Sequence, residues 1–149
     1  MSTYSLREQI ADTLVQTIQT TLQPSIRLVT REPFEPTRIA ITDFPAVLVE
    51  LSTEERLTVT MGMGGAGRRQ GTMVFSLRGY VRGVELDKQR NELITSIETV
   101  LDQDRYLGLF DKGVLDSQVI HIEIIKMNPP LAQILIQFQV KYNYLRGEA

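Results

Sequence analysis

The closing stretch of the chain constrains its fold more than any other. Between Ala132 and Leu145, the residues Ile134, Ile136, Phe138, Val140, Tyr142 and Tyr144 alternate with Leu135, Gln137, Gln139, Lys141 and Asn143. Period-two alternation puts the first set on one face of a strand and the second set on the other. Such a strand spans roughly 45 Å at about 3.3 Å per residue. A domain of this size has a radius of gyration of only about 15 Å. The strand therefore either bends at a bulge or overhangs the domain and pairs elsewhere. An overhanging strand beside a second protomer is a route to a ring, which makes Tyr142 and Tyr144 candidate contact residues.

The chain opens with a helix. Leu6, Ile10, Leu14, Ile18 and Leu22 recur every four residues, with Ala11 and Val15 alongside, and together they cover about half the helical circumference. Ser5 and Glu8 have the spacing of a capping box, in which the hydroxyl takes an orphan amide and the carboxylate reaches back. Pro24 closes the segment. A short strand at Ile26–Arg31 follows. The stretch Glu32–Pro45 then holds Pro33, Pro36 and Pro45, which exclude helix and make a poor inner strand. It reads as an extended arm or a loop packed on the domain, with Pro33, Phe34 and Pro36 as interface candidates.

Strands come next. Ala46–Leu51 is apolar on both faces near its start, as a doubly covered strand is. Leu57, Val59 and Met61 alternate with polar residues, and so do Met73, Phe75 and Leu77, which predicts a hairpin with a long glycine-rich tip at about 62–71. A second amphipathic helix is expected at about Glu85–Leu101, a turn region at Asp102–Gly113, and strands at Val119–Lys126 and Leu131–Leu145. Ile120, Ile122 and Ile124 are expected to point inward, with His121 on the opposite face. The fold class that results is α+β: one domain, 1–149, mainly an antiparallel curled sheet with both helices on one side.

Composition narrows the chemistry. The chain has 149 residues, no cysteine, no tryptophan and one histidine, so thiol nucleophiles and disulfides are excluded. With no cysteine and one histidine, the composition speaks against a structural zinc site. Sixteen basic residues against eighteen acidic ones give a net charge of −2. That balance speaks against a nucleic-acid-binding surface as the main function and against sequence-specific contacts of that kind. No apolar run is long enough for a membrane helix, and no signal core opens the sequence.

One motif match points elsewhere. Gly62-Met63-Gly64-Gly65-Ala66-Gly67 fits the G-x-G-x-x-G dinucleotide fingerprint. That fingerprint needs a helix opening at its end to hold a pyrophosphate. Here β-rich sequence follows, and Glu85 and Asp87 begin a helix instead of ending a second parallel strand. Gly62, Gly64, Gly65 and Gly67 read better as a projecting tip, with Arg68 and Arg69 as a small cationic spot suited to an acidic partner. Asp102-Gln103-Asp104 lacks the further ligands of a calcium loop. His121 has no catalytic partner in the pattern. No catalytic, cofactor-binding or metal-binding residues are assigned.

Taken in order, four segments resemble the tail-terminator (tail completion) proteins of long-tailed bacteriophages. Ser5-Leu6-Arg7-Glu8-Gln9-Ile10-Ala11-Asp12 looks like the family's opening amphipathic helix. Phe44-Pro45-Ala46-Val47-Leu48-Val49 looks like its first core strand, entered through a Pro-Ala pair. Asp104-Arg105-Tyr106-Leu107-Gly108 looks like the turn after its second helix, and Phe138-Gln139-Val140-Lys141-Tyr142 like its closing strand.

The resemblance implies a small α+β domain that forms a homohexameric ring in the virion and is made in the bacterial cytoplasm. Such a ring caps the tail tube, ends its polymerisation and offers a surface to the head-side connector; in contractile tails it also meets the sheath. Two other readings stay open. One is another neck component, such as a head-completion or adaptor protein. The other is a nucleotide-binding module that uses the glycine-rich tip.

Overall fold

The computed structural model describes residues 5–23, 25–58 and 68–145. Helix α1 spans Leu6–Leu22 and leads into the three-residue strand β1, Leu28–Thr30. The hairpin strands are β2, Ala46–Thr58, and β3, Arg68–Arg82. Helix α2 covers Leu86–Leu101, and the chain continues through β4, Val114–Ile125, and β5, Leu131–Leu145. The five strands form one curled, unclosed sheet in the order β1-β2-β3-β5-β4. All neighbours are antiparallel except β1 and β2, which run parallel.

The parallel pair follows from the proline stretch. Residues 31–45 carry the chain back to the starting end of the sheet, so that Leu28 lies beside Ala46 and Thr30 beside Leu48. This stretch is not a free arm. The Phe34 ring meets Tyr80 edge-on at a centroid distance of 5.4 Å, on the sheet face opposite the helices. Phe34 and Pro36 are half-buried while Pro33 stays exposed. Packing on both sides explains why Ala46, Val47, Leu48 and Val49 are all buried.

The long closing strand lies inside the sheet and not at its edge. β5 pairs with β3 without a register shift, from Arg82 opposite Leu131 to Arg68 opposite Leu145. An equally long neighbour, with curling of the whole sheet, removes the need for either a bulge in β5 or an overhang. The first strand of this final pair also begins earlier than the alternation suggests, at Val114.

Both helices pack on one face. Ile10, Leu14 and Ile18 of α1 and Leu93, Ile97 and Leu101 of α2 join Met73, Phe75 and Leu77 of β3 in one apolar core. Ile134, Ile136, Phe138 and Val140 of β5 complete it. Gly79 permits the close approach of α2: a Cβ there would lie 2.7 Å from Leu93 Cδ2 and 2.8 Å from Ile134 Cγ1. At the start of α1, the Ser5 hydroxyl accepts the Glu8 amide at 3.2 Å. The carboxylate of Glu8 does not reach back to complete the box; it takes Arg31 in two hydrogen bonds, at 2.6 and 3.1 Å.

Candidate functional site

The residues singled out from sequence do not converge on one place. Gly62, Gly64, Gly65 and Gly67 lie outside the described residues. Arg68 and Arg69 belong to β3 and not to a projecting tip: their backbones pair with Leu145 and Tyr144. Gly71 is likewise a strand residue, opposite Tyr142. Tyr142 and Tyr144 are 0% and 6% exposed, so neither offers its ring to a partner. They face the helix layer, because even-numbered positions of β5 line the core.

Tyr142 instead anchors a polar cluster. Its ring lies over Gly71, where a Cβ would collide with it, and its hydroxyl donates to Glu54 Oε1 on β2. Arg7 Nε of α1 sits 3.0 Å from Glu54 Oε2, and an Arg56 nitrogen lies 3.7 Å from the same oxygen. The Arg56 guanidinium also stands over the Tyr144 ring, 5.0 Å from its centroid. Burial, followed by the Glu54 carboxylate, pushes the Tyr142 hydroxyl up to about 12. A phenol with that value is not poised for proton transfer near neutrality. The Glu54 carboxylate is held by the Tyr142 hydroxyl and Arg7, with Arg56 close by. The cluster fastens the far part of the hairpin to α1 and β5.

The turn after α2 is also explained locally. Asp104 accepts the amides of Tyr106 and Gly108, at 2.9 and 2.8 Å, and so closes the Asp-Arg-Tyr-Leu-Gly turn. Leu107 and Gly108 both have left-handed backbones, at φ 54 and 67. Leu107 is thereby turned into the core. Among the described residues, no group of three or more His, Asp or Glu side chains could hold a metal ion. A groove of about 760 Å³ is lined by Thr37, Arg82, Lys126 and the Met127–Leu131 loop. Its lining includes two cations, Arg82 and Lys126, and the Thr37 side chain.

The feature that sequence reasoning misplaced is the outer edge of β4. Ile120, Ile122 and Ile124 were expected to point inward, yet they are 44%, 39% and 45% exposed. Their face was read correctly for two of them: Ile122 and Ile124 pair with Ile136 and Ile134, which line the helix side. The helix layer, however, rests on β1, β3 and β5. Val114 is buried and Val119 packs against the core, but the second half of β4 extends past this cover. Ile120 sits at a bulge between Val119 and His121. His121 lies on the opposite face, exposed, with Nε2 3.8 Å from Glu123 Oε1. Among the described residues this apolar stripe therefore runs along a strand edge that no other strand covers.

No family model matches the chain, and no curated protein matches it. Among solved structures, one named only by a serial identifier aligns over 97% of this chain and 97% of its own, at 11% identity and a TM-score of 0.57. That similarity is one of fold. A second, named as the virion of a native gene transfer agent particle, aligns over 94% of this chain and 92% of its own, at 12% identity and a TM-score of 0.45. No helix of the described residues is long and apolar enough to cross a membrane.

Proposed function

We propose that this chain is a structural virion protein of a phage, a ring-forming cap of the tail tube and not an enzyme. One observation carries the reading: each segment that resembles the tail-terminator family occupies the element the resemblance implies. Ser5–Asp12 opens α1, Phe44–Val49 leads into β2, Asp104–Gly108 is the turn after α2, and Phe138–Tyr142 lies in β5. The exposed isoleucines of β4 add a second support, since an assembly part needs sticky surface that a monomeric enzyme does not.

In this role six copies would close a ring by head-to-tail contacts, meet the tube protein on one side and offer the other side to the head connector. Closed heterologous contacts make rings, whereas open ones would make filaments. The experiment is to assemble tails without this protein and image them by negative stain. Overlong tails that fail to join heads, corrected by adding the purified protein, fit the cap. Tails of normal length that join heads normally would overturn it. Binding to the portal-side complex and not to tube ends would reassign the chain as a neck adaptor.

A further inference from the structure

We propose that two copies of this chain pair through the outer edges of their β4 strands, antiparallel, about a two-fold axis at Ile122. Among the described residues β4 ends the sheet, and no strand neighbours its outer backbone groups. Beyond the bulge at Ile120 its regular run is His121–Ile125, each residue registered on β5. Along this run the helix-side face carries exposed Ile122 and Ile124, and the opposite face carries His121 and Glu123.

The occupant is a second copy because the edge is complementary to itself in one register. With Ile122 opposite Ile122 of the second copy, antiparallel pairing sets His121 opposite Glu123, twice. Ile124 of each copy then lies opposite the bulge at Ile120 of the other. Directly opposed side chains share a face and interact, and donor–acceptor and apolar pairs are both favourable there. Each imidazole already neighbours Glu123 of its own strand, and Gln137 lies opposite it on β5. The row formed across the junction therefore alternates imidazole and carboxylate.

Two neighbouring registers fail. An axis at Glu123 sets two carboxylates directly against each other, which is destabilising. An axis between Ile122 and Glu123 opposes side chains from different faces, so one sheet would have to turn over. The Ile122 register covers the isoleucines of both copies and extends two five-stranded sheets into one, with both helix layers on the same side. A two-fold contact uses one patch on both partners and is saturated by a single partner at that patch. It goes beyond the ring reading and does not rest on it.

The chain has no cysteine, so a single introduced thiol reports the register. Ile122→Cys places two thiols on the axis, where opposed Cα atoms lie about 4.5–5.5 Å apart, within reach of a disulfide. Lys126→Cys, at four positions from the axis on each strand, separates them by roughly 26 Å. Mild oxidation of the full chain is expected to give a covalent dimer from Ile122→Cys and monomer from Lys126→Cys. By sedimentation, Ile122→Lys should weaken self-association by about tenfold or more, with an unchanged circular dichroism spectrum. Glu123→Lys should weaken it too, and His121→Glu combined with Glu123→Lys should restore it. A wild-type protein that stays monomeric at high concentration would overturn the pairing. So would equal cross-linking of both thiol variants, or a dimer indifferent to Ile122→Lys.

Discussion

The hydroxyl of Tyr142 donates to the carboxylate of Glu54, a residue 88 positions earlier and two strands away. The ring can cross β3 because the residue beneath it is Gly71. A hydrogen bond to a charged acceptor contributes about 1.5–3 kcal/mol. Arg7 remains on Glu54 when the hydroxyl is removed, so Tyr142→Phe should cost an amount at the lower end of that range in urea unfolding.

Burial of the Tyr142 phenol, together with the same bond, sets an alkaline limit. A tyrosine with a raised folded-state pKa holds its proton more tightly when folded, so its contribution is constant below the ordinary value near 10. As pH rises further the unfolded chain loses the proton first, and stability falls until about 12. Tyr142→Phe should show a flatter stability profile across that window. An unchanged slope would mean that another group carries the alkaline transition.

Gly79 should not tolerate a methyl group. Leu93 Cδ2 and Ile134 Cγ1 stand where the new Cβ would need space, at 2.7 and 2.8 Å. Gly79→Ala must therefore lift α2 from β3 and β5, at about 1–3 kcal/mol for overpacking of this kind. Thermal unfolding measures the loss, and an unaltered melting temperature would show that α2 shifts freely.

The pair Glu8–Arg31 predicts an acid effect of modest size. The Arg31 hydrogen bond, ahead of opposing desolvation, holds the Glu8 carboxyl below its ordinary value. A depressed carboxyl contributes stability that is present above the unfolded-state value and lost as pH falls below it. Both side chains are about two-fifths exposed, so solvent screening keeps the contribution within about 1 kcal/mol. Glu8→Gln should narrow the stability difference between neutral and acid pH by no more than that.

Two isoleucines that face each other across β4 and β5 should behave oppositely. Ile134 is 0% exposed and Ile124 is 45% exposed. Ile134→Ala should cost about 2–5 kcal/mol, the range for emptying a core site. Ile124→Ala in dilute protein should change stability by less than about 0.5 kcal/mol. A large cost at Ile124 would mean that the helix layer reaches further over β4 than its exposure indicates.

The cationic pair at the start of β3 offers a test of the proposed capping role. Arg68→Glu with Arg69→Glu is expected to weaken capping of tail tubes, most strongly at low salt, where the lost attraction is least screened, while the melting temperature stays nearly constant. Normal tails from that variant would remove the pair from the capping contact.

Much of the local structure could be read from the residues alone. The four-residue spacing in Leu6–Leu22 and the Ser5 cap specify α1, because helix periodicity and an orphan-amide acceptor are local properties. Alternation in 131–145 specifies β5, and the tandem alternating runs specify the β2–β3 hairpin. Strand neighbours were not legible in the same way. Alternation gives a strand its two faces but not its place in the sheet, so it leaves β5 either bulged or overhanging, and only β3 beside its whole length removes both. The same gap misplaced the tyrosines: Tyr142 and Tyr144 alternate as core or as surface residues equally well. Only the helices lying over β5 decide that they are buried. Ile122 and Ile124 carry the same alternation with the opposite outcome, because burial depends on what covers a face. Two helices resting on β1, β3 and β5 leave the far half of β4 bare.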